Sequence, residues 1–170
     1  MKVFKPNFYS KNIFEINYDK LKEKNIKLLI FDLDNTIGKI DEKIIRPDYK
    51  DFLINLSKDF DILVCSNNTY KRVSAFLGDS NLNFISNSLK PTGKIYRFLK
   101  KNYKYNKNEI CFIGDQIVTD IFVGNRGNYY SILVDPIAKK DLKITYFNRA
   151  LERMIKRINK FKDGEYYEED

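Results

Sequence analysis

The sequence predicts an α/β fold: a doubly wound, Rossmann-like parallel sheet of about five strands, with helices on both faces. A small hairpin flap is expected after the first strand, and no cap domain. Three observations predict this. Apolar residues come in short continuous runs, each ended by a polar residue, which is the pattern of strands buried on both faces. Helical patterns fill the intervals between the runs, so strand and helix alternate as in right-handed βαβ units. The chain has 170 residues, a length that fits one domain. Within it we distinguish an N-terminal extension over 1–26, an amphipathic C-terminal helix over 145–162 and an acidic tail over 163–170.

The first run is Leu28-Leu29-Ile30-Phe31, stopped by Asp32. The second is Ile62-Leu63-Val64-Cys65, stopped by Ser66, and a weak run follows at Phe84-Ile85. Ile110-Cys111-Phe112-Ile113 is stopped by Gly114-Asp115, and Ser131-Ile132-Leu133-Val134 by Asp135. The helical patterns lie at Tyr49 to Lys58, Tyr70 to Leu77 and Gly93 to Tyr103, each with its apolar residues on one face. The interval after the first run differs: Thr36 to Pro47 reads as a turn and a hairpin, Ile37 to Ile40 against Lys43 to Arg46. At the C-terminal end Phe147, Ala150, Leu151, Met154, Ile155, Ile158 and Phe161 fall on one helical stripe.

Composition removes several chemistries. With no histidine, Ser-His-Asp and Cys-His catalysis and His-ligated zinc or iron are excluded. Proton transfer must fall to carboxylates, lysine, tyrosine or water. Cys65 and Cys111 each lie at or near the end of an apolar run and read as buried free thiols, which suits a reducing cytosol. The residue six after Cys65 is Lys71, so the Cys-x5-Arg of a cysteine phosphatase is missing. No Gly-x-x-x-x-Gly-Lys-Ser/Thr loop is present. The N-terminus has no apolar core of signal-peptide length, and no stretch reaches the ~20 apolar residues of a membrane span. A cytoplasmic protein is expected, one that can sit peripherally on the inner face of the membrane.

In open α/β sheets ligands bind beyond the carboxyl ends of the strands. The polar residues predicted there are Asp32, Asp34, Thr36, Ser66, Asn67, Lys90, Asp115 and Asp120. Four carboxylates, a lysine and two hydroxyls suit a Mg²⁺ ion and a phosphate group, because Mg²⁺ takes oxygen from one or two carboxylates and from substrate. Without histidine, phosphoryl transfer can pass through an aspartyl phosphate. Asp32 and Asp34, two apart, can face the phosphorus and the leaving group. A calcium loop is excluded, because its sixth and twelfth positions hold Ile37 and Lys43 in place of Gly and Glu. A response-regulator receiver is disfavoured, because its acceptor aspartate follows a middle strand, where this chain has Ser66 and Lys90. Ser66 also suits a helix N-cap, and Asp120 a helix start.

Four segments together resemble the haloacid-dehalogenase superfamily of phosphatases: Asp32-Leu33-Asp34-Asn35-Thr36, Ser66-Asn67-Asn68, Lys90-Pro91-Thr92-Gly93-Lys94 and Gly114-Asp115-Gln116-Ile117-Val118-Thr119-Asp120. Within it the chain is most similar to the YqeG-like branch of the IIIA type, including Gly124-Asn125-Arg126 and Phe147-Asn148-Arg149. The resemblance runs from about Pro6 to the final helix. It implies that Asp32 is the nucleophile and a metal ligand. Asp34 would be the general acid/base, with its carbonyl on the metal. Ser66 would bind the phosphoryl oxygens, with Thr36 and Asn67 beside it. Lys90, placed before the Pro-x-Gly turn and so preferred to Lys94, would neutralise nucleophile and phosphate. Asp115 and Asp120 would complete the Mg²⁺ site, Asp120 there or at Lys90. Arg126 would bind a second phosphate or cap a helix.

The resemblance extends to phosphatidylglycerophosphate phosphatases and implies a lipid phosphomonoester as the leading substrate. The intervals Ile37 to Asp61 and Asn67 to Leu89 are too short for a cap, so the site is expected to be open. The charge of +8 is uneven: +6 over residues 1–138, +7 over 139–162 and −5 in the last eight. The apolar stripe of the basic helix is expected to pack on the sheet, which leaves its basic face available to an anionic membrane surface. The competing readings are a soluble sugar or nucleotide phosphate as substrate, or an RNA- or ribosome-associated module using the charge and twelve tyrosines. RNA is less favoured than membrane lipid, and DNA is not expected. The oligomeric state is left open.

Overall fold

In the computed structural model the central apolar runs become adjacent strands of one sheet. The structure describes residues 2–138. The helix expected over 145–162 and the tail over 163–170 lie outside these residues. The strands are β1 (Phe8–Ser10), β2 (Leu28–Asp32), β3 (Asp61–Cys65), β4 (Asn83–Ile85), β5 (Ile110–Gly114) and β6 (Tyr130–Val134). The helices are α1 (Tyr18–Glu23), α2 (Pro47–Leu56), α3 (Tyr70–Leu77), α4 (Lys94–Asn102) and α5 (Phe122–Arg126). The six strands run in the order β1-β6-β5-β2-β3-β4, and every pairing is parallel. From β2 the chain winds outward through β3 to β4, then crosses back to β5. The order therefore reverses between β2 and β5, and that crevice is where doubly wound sheets bind ligands.

Side-chain alternation along the strands divides the core in two. Leu29 and Phe31 face one side, with Ile62, Val64 and Cys111, and meet Leu21 of α1, Leu53 of α2 and Phe76 of α3. Leu28 and Ile30 face the other, with Leu63, Cys65 and Phe112, and meet Ile95 and Leu99 of α4 and Val123 of α5. Phe31, Phe76 and Phe112 are fully buried, each worth about 1.5–3 kcal/mol relative to exposure. This double burial is why the strands read as continuous apolar runs and not as alternating ones. Among the described residues no helix is long and apolar enough to cross a membrane.

The structure changes two expectations. The sheet has a sixth strand, β1, drawn from the N-terminal extension. Three residues carry too little pattern to be seen. What places them is their register on β6 and Asn7, whose side chain accepts from the Ser131 amide at 2.9 Å. The expected hairpin is not formed: no strand lies between residues 33 and 46, only a single bridge from Asp34 to Gly38. Asn35, at φ +66°, turns the chain and donates its amide to the Gly38 carbonyl at 2.6 Å. Gly38 lies so close to the Phe76 ring that a Cβ would fall 2.2 Å from it. The Ile45 amide then bonds the Phe76 carbonyl at 2.8 Å. Ile37 and Ile45 are buried on this course, so the segment packs along α3 instead of pairing with itself.

Candidate active site

Asp32 ends β2, beside the crevice. From β4 the chain enters a loop, Ser86 to Gly93, that returns Lys90 to the same point. Lys90 is buried, and its Nζ donates to Asp32 Oδ1 at 2.5 Å, to Asp120 Oδ1 at 2.7 Å and to the Cys65 carbonyl at 3.1 Å. Asp120 arrives on a π-helical turn, Ile117–Ile121, that leads into α5. Its other oxygen accepts the Gln116 amide at 3.1 Å. Gly114 makes room for it: a Cβ there would lie 2.4 Å from the Asp120 carboxylate. Asp115, also buried, completes a group in which Asp32, Asp115 and Asp120 each bring an oxygen within 4.8 Å of the others.

The electrostatics of this group are unbalanced. Burial pushes the Asp32 carboxyl up to about 7, with Asp120 and Asp34 adding to the rise and Lys90 opposing it. For Lys90, burial works against the ammonium, but Asp120 and Asp32 outweigh it and hold its pKa well above the ordinary lysine value. Asp32 and Asp120 thus share one ammonium in a buried site, with Asp115 beside them. Unpaired buried charge costs several kcal/mol, and a hard divalent cation with oxygen preference is the ligand that relieves it. By donor chemistry, the cluster fits Mg²⁺. Thr36 is buried alongside, and its Oγ1 has no hydrogen-bond partner.

The loop after β3 braces the loop after β4. Asn67 Oδ1 accepts the Lys90 amide and the Ser88 hydroxyl, both at 2.7 Å, and its Nδ2 donates to the Lys90 carbonyl at 3.1 Å. Ser66 Oγ accepts the Asn68 amide at 3.1 Å. Lys94, in the first turn of α4, donates its Nζ to the carbonyls of Ser86 and Asn87. Asp34 is half-buried. Asn68 Nδ2 donates to its Oδ2, and Arg72 Nη2 lies 3.5 Å from its Oδ1. Burial raises the Asp34 pKa against the opposing effects of Arg72 and Asn68. Burial also pushes the Cys65 thiol up to about 11 and the Cys111 thiol well above its usual value, so neither is a reactive thiolate.

This geometry can be set beside known proteins. Residues 1–138 match the family model described as mitochondrial PGP phosphatase. The chain belongs to this family. It is a phosphatase, a phosphoric monoester hydrolase. It is 39% identical over 155 residues, 91% of this chain and 90% of the relative, to a Bacillus subtilis (strain 168) protein named "Probable phosphatase YqeG". It is 23% identical over 146 residues, 80% of this chain and 42% of the relative, to phosphatidylglycerophosphate phosphatase 1, chloroplastic/mitochondrial, of Arabidopsis thaliana. In fold it is similar to an uncharacterized protein from Listeria monocytogenes serotype 4b, with a TM-score of 0.52 and 19% identity over 77% of this chain and 99% of that one.

Within the phosphatase, Asp32, Lys90, Asp115 and Asp120 come together, with Asp34, Thr36 and Ser66 on the loops around them. Asn67 is exposed as a residue, but its side chain is spent on Lys90 and Ser88. Arg126 does not join them. It ends α5, close to the start of β6 and so toward the amino end of the sheet, exposed, with its guanidinium 6.0 Å from the Phe122 ring centroid. The neighbouring Gly124 and Asn125 have packing roles. A Cβ on Gly124 would lie 3.1 Å from Ser131, and Asn125 Nδ2 donates to the Lys5 carbonyl at 2.8 Å. The sequence reading missed Asn68 and Arg72. The signal was available in Asn68, which extends the Ser66-Asn67 pair. Arg72 sits inside the α3 helical pattern and carries no such mark.

Proposed function

We propose that this phosphatase hydrolyses a lipid phosphomonoester, phosphatidylglycerophosphate, through an aspartyl-phosphate intermediate in a Mg²⁺-dependent reaction. The observation that carries the reading is the buried Lys90 shared between Asp32 and Asp120 beside Asp115. Asp32, the Asp34 main-chain carbonyl, Asp115 and Asp120 form the site for Mg²⁺, which when bound supplies charge neutralisation at the phosphoryl group.

An Asp32 carboxylate oxygen attacks phosphorus and the bond to the ester oxygen breaks, while Asp34 gives its proton to the departing alkoxide. Asp34, now a carboxylate, takes a proton from water as the water oxygen attacks phosphorus. The acyl-phosphate bond breaks, and Asp32 and inorganic phosphate are released. Lys90 holds Asp32 and offsets the charge that builds on the phosphoryl oxygens. Ser66 and Thr36 supply hydroxyls to those oxygens. Asn67 acts through Lys90, whose backbone it fixes on both sides.

The name of the Arabidopsis relative and the description of the matched family support the substrate. So does the lack of an inserted cap among the described residues, which leaves the site open to a headgroup presented by a membrane. On this reading the protein works at the inner face of the membrane, and its basic excess favours anionic lipid. The test is phosphate release from phosphatidylglycerophosphate in mixed micelles with Mg²⁺. The reading expects turnover that falls by about 10³-fold or more in Asp32→Asn. Equal release by the two proteins contradicts the reading. Release from soluble sugar or nucleotide phosphates but not from the lipid keeps the chemistry and removes the substrate.

A further inference from the structure

We infer that Asn68 and Arg72 form a two-sided clamp that positions Asp34 for proton transfer to the leaving oxygen. The inference rests on the reading of Asp34 as proton donor and adds two residues to it. Asn68 donates its Nδ2 to Asp34 Oδ2, and Arg72 Nη2 pairs by charge with Oδ1 at 3.5 Å, so Oδ2 is held by a hydrogen bond and Oδ1 faces the guanidinium without one.

Both holders are themselves fixed. The Asn68 amide bonds Ser66 Oγ at 3.1 Å, and its carbonyl accepts the Asn87 amide at 2.7 Å, so the residue is pinned between the two loops that carry Ser66 and Lys90. Arg72 projects from the first turn of α3. Its Nη2 donates to the Ile40 carbonyl at 3.2 Å, and its guanidinium carbon lies 5.2 Å from the Phe76 ring centroid. Arg72 therefore ties Asp34 to the turn that follows it and to the core at once. The Arg72 Nη1 is buried with no hydrogen-bond partner. An arginine placed only to fasten the 38–46 segment to α3 has no reason to leave a buried donor unmet. Asp34 Oδ1 is likewise buried with no hydrogen-bond partner, so this ion pair keeps an unmet donor on one side and an unmet acceptor on the other.

A clamp on a proton donor has a signature that general scaffolding lacks. An alkoxide must be protonated as it leaves, whereas p-nitrophenolate departs without a proton. The experiment compares kcat/KM, which covers the steps up to loss of the leaving group and not the shared hydrolysis of the intermediate, for an alkyl phosphate, phosphatidylglycerophosphate or glycerol 3-phosphate, and for p-nitrophenyl phosphate. The variants are Arg72→Ala, Arg72→Lys, Asn68→Ala and Asp34→Asn. The clamp predicts that Arg72→Ala and Asn68→Ala each lose at least tenfold more kcat/KM on the alkyl ester than on the aryl ester. Arg72→Lys should recover part of the loss, because it keeps the charge and loses the fork. Asn68→Ala leaves the Ile40 contact intact and carries the test if Arg72→Ala does not fold. Equal losses on both esters, with Arg72→Lys no better than Arg72→Ala, overturn the clamp. If Asp34→Asn shows the leaving-group dependence and the two clamp variants do not, the inference fails alone. If Asp34→Asn also loses equally on both esters, the assignment of Asp34 falls with it.

Discussion

Two lysine–carboxylate pairs lie at opposite ends of the sheet, at the same distance and with opposite character. At the amino end Lys27 Nζ meets Glu109 Oε1 at 2.5 Å. At the carboxyl end Lys90 Nζ meets Asp32 Oδ1 at 2.5 Å. Glu109 also accepts from Asn25 Nδ2 at 3.3 Å, from the Asn106 amide at 2.7 Å and from Asn106 Nδ2 at 3.1 Å. Its charge is fully answered, and Lys27 and the Asn106 amide hold its pKa below the usual glutamate value. Asp32 shares its lysine with Asp120 and stands beside Asp115, and burial moves its pKa the other way, with Lys90 opposing the rise and Asp120 adding to it. The difference teaches how to tell a brace from a site. A pair whose acceptors are all met joins β2 to β5, while carboxylates gathered round one lysine mark a candidate site for a cation.

The largest expected effect comes from removing the shared lysine. Lys90→Met should abolish turnover and, in chelator, destabilise the fold by about 3 kcal/mol, because it leaves buried carboxylates with no cation. Urea unfolding and phosphate release check the two halves; full stability with lost turnover would show that the cluster carries no net repulsion. Next is the metal. Chelation should abolish activity reversibly, and saturating Mg²⁺ at about tenfold its Kd should add about 1.4 kcal/mol, a rise of about 3–5 °C in Tm. Asp115→Asn should lose that rise. A Tm indifferent to Mg²⁺ in the unaltered protein would break the comparison at its active end.

The smallest effect belongs to the amino-end pair. Glu109→Gln should leave turnover intact and lower Tm at neutral pH. Because the folded pKa of Glu109 is depressed, its contribution is complete above the unfolded value of about 4.3 and is lost as pH falls through the folded one. The Tm gap between the two proteins should therefore close on acidification from pH 6 to pH 3. A gap that widens contradicts the assignment of Glu109 as a satisfied brace.

The site was more legible than its supports. Asp32, Ser66, Lys90 and Asp115 could be found because each interrupts or follows a buried run or a turn signal, and the parallel sheet gathers such positions at one end. Asp120 was harder, since it lies on a π-helical turn whose wider path delivers it to Lys90. Arg126, left open between a second phosphate and a helix cap, ends α5 away from the cluster, and nothing in its local pattern says which end of the sheet that helix reaches. Asn68 and Arg72 touch Asp34 only through the third dimension. The hairpin failed for a related reason: Ile37 and Ile45 look like strand residues, but the Phe76 ring and the α3 backbone offer them a better partner than each other.

The central claim is that Asp32 takes the phosphoryl group, and trapping it tests this most directly. The enzyme is mixed with Mg²⁺ and a phosphomonoester it turns over, quenched in acid within a turnover, and digested for mass spectrometry. The account predicts one phosphoryl group on Asp32, labile to hydroxylamine and missing in Asp32→Asn. Phosphate release at full rate with the phosphoryl group on another residue would contradict it.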